Sequence, residues 1–404
     1  MISKKGFSSV FLTMIFGSMI MLTFAFVNIS SMKAMESSCN AVFSLAGQSI
    51  LSEFDLTLKE KYGLIAFSLD NNEIENRLRY YGNSTFKNSR DLNMVPVELT
   101  AIEVDIKKYS MMSVDQFEKS IGDFMNYKIV NNLLREAGTV KSPQDKKDRV
   151  LRNEVIQESL PSNDIMGSSI FIQAILDWEV LPLEKIFDKQ AKGFLVNSYI
   201  FDYFNHNKNS EIARLDSFYK NEVEYILYGK SSDEENKSKF KSDFIKFRTA
   251  LNLTHIYTDE IKVREITTLA NILTPGPAAI GTQGLIAAVW AYTEALNDAK
   301  LLDANKEVAL IKRRENWAID IDSYEKIKDG IIEPSDNKGY SYEDYLKIFI
   351  YLEDREIKLL RIMDLIQVNL IGNYDDGFLM RNYYSGFEYS VTTNEKKFYY
   401  EEKY

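Results

Sequence analysis

The N-terminal segment from Gly6 to Met32 contains no charged residue, and this feature constrains the fold more than any other. Its central part, Val10 to Ile29, consists mainly of Phe, Ile, Leu, Met and Val. At about 1.5 Å per residue, that part forms about 30 Å of α-helix, which matches the hydrocarbon core of a bilayer. The segment therefore predicts one membrane-spanning helix at residues 8–32, preceded by a short cytoplasmic leader at residues 1–7.

A cleavable signal peptide is the main alternative to a retained anchor. Its apolar region normally covers about 7 to 15 residues and ends at small residues. The apolar run of this chain is longer and lacks such a site. Lys4 and Lys5 precede the run, whereas Lys33 is alone after it, so the positive-inside rule places the N-terminus in the cytoplasm. We expect a single-pass protein of the cell membrane whose C-terminal domain is extracytoplasmic.

Small residues recur on one side of the predicted span. Ser9, Thr13 and Gly17 follow one another at intervals of four, so they share a helix face on which a second membrane helix could pack closely. This spacing also arises by chance. We predict that the N-terminal helix can form a homo- or hetero-oligomer through these three residues.

An apolar stripe continues beyond the membrane segment and predicts that the same helix extends to Tyr62, where Gly63 ends it. The stripe has steps of three or four residues and comprises Met35, Cys39, Val42, Ala46, Ile50, Phe54 and Leu58. Such a stripe must be covered outside the lipid, so we expect a globular domain or another subunit against it. The predicted helix extension occupies residues 33–66.

The rest of the chain predicts an α+β, mainly helical fold with a small antiparallel sheet. Residues 67–138 form a small α+β region, in which Val95 to Tyr109 alternates like a strand with a bulge at Ala101, and residues 139–164 form a linker. Residues 165–404 form a mainly helical ectodomain. Its predicted elements are helices at 186–204, 233–254, 279–302 and 342–371, strands at 218–229 and 308–311, and an aromatic terminal strand. The apolar run Leu285 to Ala291 predicts a buried core helix.

Composition excludes several classes of function. The net charge of -10 opposes binding to nucleic acid, and no basic cluster offsets it. Cys39 is the only cysteine, so neither an intrachain disulfide nor a multi-cysteine metal site can form, and we interpret Cys39 as a packing residue. His206 lies in a polar segment that predicts a solvated turn, and His255 lies near a predicted helix end.

No nucleotide, zinc-protease or nucleophile-elbow motif is present, so we predict no catalytic residue, metal or cofactor. One enzymatic alternative stays open. Asp320 with Asp322, or Asp375 with Asp376, could serve a membrane-tethered cell-wall glycosidase that uses only carboxylates, although solvated turns explain these pairs more simply.

Five polar residues of the C-terminal half lie at helical spacings beside apolar ones. We interpret them as a structural network of hydrogen-bonded pairs that lock helices together. They are Glu294, Asp298, Arg361, Asp364 and Gln367.

Several motifs together suggest a family. They are GFSSVFLTMIF and EFDLTLKEKYGL near the N-terminus, EYILYGK (Glu224 to Lys230), Arg248 with Asn252, WAYTEALNDAKLL (Trp290 to Leu302), Lys312 with Trp317, YEDYL (Tyr342 to Leu346) and RIMDLIQVN (Arg361 to Asn369). In these the chain resembles an uncharacterised family of Gram-positive, largely clostridial membrane proteins. Members of that family are similar at the N-terminus to TadE and TadG, the pilin-like proteins of tight-adherence (Flp-type) pilus systems.

The resemblance implies a membrane-anchored extracytoplasmic structural or assembly component of a pilus-like or secretion system, with other subunits as partners and no cofactor. Gly6 followed by Phe7 matches the pattern that a prepilin peptidase cuts. A pilin usually has Glu at the fifth position after the cut, where this chain has Phe11. That departure favours a permanently anchored accessory component.

Overall fold

The computed structural model describes residues 5–88, 97–134, 154–163, 183–208, 217–322, 330–394 and 396–404. Contacts within the chain divide it into two compact units. The first comprises Met1–Gln116 together with Arg381–Tyr404, and the second comprises Phe117–Met380. The mainly helical α+β class with one small antiparallel sheet is confirmed.

The first unit begins with one long helix, α1 (Lys5–Leu51). The prediction that this helix reaches Tyr62 is wrong, because residues 56–62 form a separate helix, α2 (Leu56–Tyr62). The cause is Asp55, whose side chain accepts the N–H of Leu58 at 2.8 Å and thereby starts a new helix. Gly63, with a φ of 70°, ends α2 as predicted.

A third helix, α3 (Asn71–Asn88), was not predicted. Its N-terminus has a reciprocal cap: the N–H of Glu73 donates to Asp70 at 2.7 Å, and the N–H of Asp70 donates to Glu73 at 2.9 Å. This D-x-x-E spacing is a recognisable start signal in the sequence.

The sheet of the first unit has the order β1-β2-β3 and is antiparallel throughout. It consists of β1 (Leu99–Asp105), β2 (Gly386–Thr393) and β3 (Lys396–Lys403). The pairing of β1 with β2 shifts between Leu99 and Ala101, close to the predicted bulge. The predicted single terminal strand is instead a hairpin of two strands, with Asn394 at a φ of 45° where β2 ends.

The second half of α1 packs on this sheet. The buried stripe comprises Met35, Cys39, Phe43, Ala46 and Ile50, so Phe43 takes the place predicted for Val42. The sheet contributes Phe387, Tyr389, Val391 and Phe398 to the same core. Tyr389 also donates its hydroxyl to the carbonyl of Phe43 at 2.6 Å. The sheet therefore covers the apolar stripe of α1.

The remaining helices, most of them in the second unit, surround the residues considered below. They are α4 (Val114–Leu134), α5 (Glu154–Ser159), α6 (Leu183–Tyr203), α7 (Glu222–Tyr228), α8 (Asp233–Thr258), α9 (Glu260–Leu273), α10 (Ala279–Asp303), α11 (Tyr342–Leu352) and α12 (Arg355–Asn373).

Three predictions about this part of the chain are wrong. The strand predicted at 218–229 is the helix α7, whose residues Glu222 to Leu227 are all buried, so its sequence lacks the polar face of a surface helix. The helix predicted at 342–371 is two helices, because Glu353 is extended and Asp354 caps α12. The strand predicted at 308–311 is a single bridge between Val308 and Tyr340.

The predicted domain boundaries differ from the division by contacts. The boundary at residue 165 and residues 139–153 of the predicted linker lie outside the described residues, and the described remainder of that linker contains α5. The predicted ectodomain 165–404 does not form a unit of its own. Because β2 and β3 pair with β1, the C-terminal residues belong to the unit that contains α1.

Candidate functional site

The first half of α1 is exposed and apolar. The helix from Val10 onward is a candidate for one membrane span by length and composition, and nothing in its most apolar window is buried. Phe16 and Ile20 are 65% and 60% exposed. The hydroxyls of Thr13 and Ser18 donate to carbonyls within the helix at 2.9 and 2.8 Å. Such internal pairing suits a medium without hydrogen-bonding partners.

The residues predicted for helix association and processing lie on this half of α1. Gly6, Phe7 and Ser9 lie in its first turns, where the structure describes the backbone. A Cβ atom added at Gly17 would have no heavy atom within 4 Å. The face that carries Thr13 and Gly17 is open, and its role in association stays a prediction.

The character of α1 changes at its first charged residues after the apolar run. Lys33 lies 3.2 Å from Glu36, and Lys396 of β3 lies 3.3 Å from the same carboxylate. These cations lower the pKa of Glu36 through hydrogen bonds. Met35 and the residues beyond it turn their apolar side chains into the core of the first unit. One helix thus has an exposed apolar half and a packed half.

A buried charge cluster lies between α8 and α10. Arg248 Nε is 2.9 Å from Asp298 Oδ2, and Lys312 Nζ is 2.6 Å from Asp298 Oδ1. Lys312 also contacts Glu294, and none of these four side chains is more than 2% exposed. Burial raises the pKa of Asp298, but Arg248 and Lys312 outweigh this effect and hold the pKa below its usual range.

The same cluster fixes a long connection. Glu294 accepts the backbone N–H groups of Ala318 and Ile319 at 3.0 and 2.8 Å. Arg248 donates to the carbonyl of Leu310 at 2.7 Å. The two cations and two carboxylates therefore tie α8, α10 and the segment after Val308 together.

Lys262 of α9 lies between two indole rings beside this cluster. Its ammonium is 4.0 Å from the ring centre of Trp290 and 3.9 Å from that of Trp317. Burial lowers the pKa of Lys262 to about 8. Cation–π contacts with partly desolvated lysines stabilise helix packing, which is the contribution that we assign to this residue.

The other predicted network residues lie on α12 and contact different partners. Arg361 donates to the carbonyls of Ile226 and Leu227 on α7 at 2.9 and 2.6 Å. Asp364 accepts from the N–H of Ser162 and the hydroxyl of Tyr225, both at 2.9 Å. Burial raises the pKa of Asp364 to about 6.

Gln367 completes this second group. It donates to the carbonyl of Ser159 at 3.1 Å and accepts the N–H of Met380 at 2.9 Å. The structure thus places the five predicted residues in two groups, one on α10 and one on α12.

Sequence analysis missed two buried carboxylates on α7. Glu222 accepts from the N–H of Asn205 at 2.8 Å and from the side chain of Asn369 at 2.6 Å. Glu224 accepts the hydroxyl of Tyr342 at 2.7 Å, and burial raises its pKa to about 7. Two glutamates within an otherwise apolar run were the available signal, but the run was interpreted as a strand.

The predicted solvated turn at His206 is wrong. His206 is 6% exposed, stacks on Tyr342 with ring centres 6.3 Å apart, and lies 3.5 Å from Glu343. Burial lowers the pKa of His206. The interpretation of Cys39 as a packing residue is confirmed, since its side chain is fully buried in the core of the first unit.

The described carboxylates that are candidates for glycoside hydrolysis either lie in solvent or have structural partners. Asp320 and Asp322 are exposed, as are Asp375 and Asp376. A cleft of about 580 Å³ in the second unit contains Glu118, Asp354 and Arg355. Glu118 pairs with Arg355 at 2.7 Å, and Asp354 caps α12. Among the described residues, no group of three or more His, Cys, Asp or Glu could hold a metal ion.

Comparison with known protein families identifies the family of this chain. The model of a family of unknown function (DUF5702) matches residues 126–395, which is more than half of the chain. No curated protein matches the chain, and no solved structure matches it.

Proposed function

We propose that this chain, which belongs to DUF5702, a family of unknown function, is a single-pass membrane protein that serves as a structural or assembly component of a cell-surface, pilus-like or secretion system. The division of α1 is the observation that carries the proposal. Its apolar half is exposed, whereas its continuation is packed in the core of a folded unit. Such a helix can hold a domain at a membrane and also present an apolar surface to other subunits.

The positions of the basic residues support the orientation of the protein in the membrane. Lys4 and Lys5 precede the apolar half, so the leader is cytoplasmic and the residues after the span lie outside the cytoplasm of a Gram-positive cell. The resemblance of the N-terminus to TadE and TadG supports a tight-adherence type of system. Because Phe11 stands where pilins have glutamate, a permanently anchored accessory subunit is favoured over a filament subunit.

The buried polar groups support a structural role for the second unit. Asp298 accepts a hydrogen bond from Arg248 and forms an ion pair with Lys312, and Glu294 accepts two backbone N–H groups. Charged groups buried in such pairs hold elements in place and are not accessible to a substrate.

Photo-crosslinking in the producing bacterium tests the proposal. A photoreactive amino acid at Ile20, 60% exposed on α1, is expected to give adducts with other subunits of the surface system. The control position is Ile311, which is 79% exposed in the second unit. Absence of protein adducts at Ile20, or a C-terminal reporter located in the cytosol, contradicts the proposal.

Among the described residues, no contact supports the alternative that the protein is a glycosidase. A separate experiment tests this alternative. The full-length chain in detergent is applied to a gel that contains peptidoglycan. Clearing of the gel would replace the structural role by a hydrolytic one.

A further inference from the structure

A second exposed apolar surface lies on the helical hairpin of α9 and α10. No charged residue occurs between residues 266 and 293. Ile272, Ile280 and Leu285 are 71%, 75% and 66% exposed. The helix predicted to be buried at Leu285 to Ala291 is buried on one side only, through Ala287, Trp290 and Ala291. We call the end of this hairpin, residues 271–285, the hairpin tip.

Two prolines reduce the number of backbone donors at the hairpin tip. Pro275 and Pro277 have no N–H group. The N–H of Thr274 donates to the carbonyl of Ala270 at 2.8 Å, and that of Ala279 donates within the turn at 3.0 Å. The turn therefore has fewer N–H donors than a loop of the same length without proline.

The threonine hydroxyls of the hairpin are also paired internally. Thr282 donates to the hydroxyl of Thr274 at 3.0 Å. Thr267 and Thr268 donate to carbonyls of α9 at 2.7 and 2.8 Å. Large apolar side chains of the hairpin are thus exposed, while these threonine hydroxyls are engaged within it.

These features favour lipid over a protein partner. Protein interfaces carry about one hydrogen bond per 100–200 Å² and have a polar rim. The interior of a bilayer offers no such partners, so a segment that enters it must satisfy its polar groups internally. Lipid would accept the uncharged tip without any matching surface.

We propose that the hairpin tip inserts into the boundary between lipid headgroups and acyl chains as a second, shallow membrane contact. The proposal relies on the membrane anchor of the proposed function, because tethering through α1 raises the effective concentration of bilayer near the tip. It does not depend on the identity of the surface system.

The test places a fluorophore at the tip of the full-length chain. Ile280→Cys is labelled with an environment-sensitive dye after reconstitution into phosphatidylcholine–phosphatidylglycerol vesicles. Ile311→Cys, equally exposed in the same unit, is the matched control. The wild-type chain, whose one cysteine is buried, gives the labelling background. Nitroxide-labelled lipids are expected to quench the dye several-fold at position 280 and to leave it unchanged at position 311.

A second variant tests whether the apolar character of the tip causes the quenching. Ile272→Asp introduces a charge into the tip and is expected to abolish the quenching at position 280, with unchanged circular dichroism as evidence of folding. Quenching that persists in this variant contradicts insertion of the tip.

The remaining outcomes distinguish the membrane contact of the hairpin tip from membrane anchoring through α1. If the chain floats with the vesicles but the dye at position 280 is not quenched, the hairpin contact alone is overturned. A blue-shifted emission without lipid quenching indicates a protein neighbour and likewise overturns the hairpin contact. A chain that does not float with the vesicles overturns the anchor and the hairpin contact together.

Discussion

Glu224 is a buried carboxylate that titrates near neutral pH. Burial raises its pKa from 4.5 to about 7, so the folded protein binds this proton more tightly than the unfolded chain does. The stabilising effect is complete below about pH 4.5 and is lost as the pH rises through about 7. One oxygen of the carboxylate has no hydrogen-bond partner among the described residues, so little opposes the cost of its charge.

We therefore predict that Glu224→Gln makes the protein less sensitive to pH. Between pH 5 and pH 8, the variant should gain roughly 3 kcal/mol in unfolding free energy relative to the wild type. Chemical unfolding in detergent at both pH values measures this difference. Glu234→Gln, an exposed glutamate on α8, is the control. If the unfolding free energies of Glu224→Gln and the wild type differ by the same amount at pH 5 and at pH 8, Glu224 has an ordinary pKa.

Arg361 completes the C-terminal end of α7 by donating to two of its last carbonyls. We predict that Arg361→Ala lowers the unfolding free energy by about 3 kcal/mol, since it leaves buried acceptors unpaired. Thermal unfolding measures the loss, with the exposed Arg264→Ala as control. A fully stable variant that no longer functions would indicate a binding site at Arg361 instead.

At the scale of elements, the contact of β3 with α1 depends on Gly47. A Cβ atom at this position would lie 2.6 Å from Cγ of Glu402, and real contacts are longer. The helix α1 continues through Gly47, and the missing Cβ atom leaves room for the side chain of Glu402.

Gly47→Ala should destabilise the first unit by about 1–3 kcal/mol through overpacking. This loss opposes the gain of about 1 kcal/mol that alanine normally gives inside a helix. Gly17→Ala is the matched control, because the added atom meets open space. Hydrogen exchange in β3 measures the effect, and unchanged protection of β3 would contradict it.

At the scale of the whole molecule, association through the exposed half of α1 remains a prediction. Gly17→Leu places a large side chain on the face that carries Ser9, Thr13 and Gly17 and should prevent close approach of a second helix. Crosslinking in detergent micelles should show fewer oligomers than for Ile20→Leu, which keeps the bulk of a neighbouring residue. An unaltered oligomeric state in Gly17→Leu would exclude this interface.

Much of the architecture could be predicted where the signal was local. The helix α10 was predicted at 279–302 and extends over Ala279–Asp303. A helix was predicted to begin at residue 342, and α11 does begin there with a capping box of Ser341 and Asp344. The misassigned α7 shows the limit, since a short helix that is buried on all sides lacks the periodic polar face on which helix prediction depends.

The candidate site was less predictable than the fold. Glu294 and Asp298 were identified as structural residues, and their partners Arg248 and Lys312 were noted only as motif residues. Nothing in the spacing of the sequence relates Arg248 of α8 to Asp298 of α10, which it contacts at 2.9 Å. A buried ion pair depends on how two helices pack, and packing involves residues distant in the chain.

The sequence by itself determined the exposed apolar helix at the N-terminus, the mainly helical class and many of the helix ends. Each of these follows from the hydropathy or capping of neighbouring residues, which are local properties. Only the tertiary structure decided that β1 forms one sheet with the C-terminal hairpin and that this sheet covers the second half of α1. The pairing of β1 with β2 joins segments far apart in sequence, and its free energy comes from burial that exists only after the chain has folded.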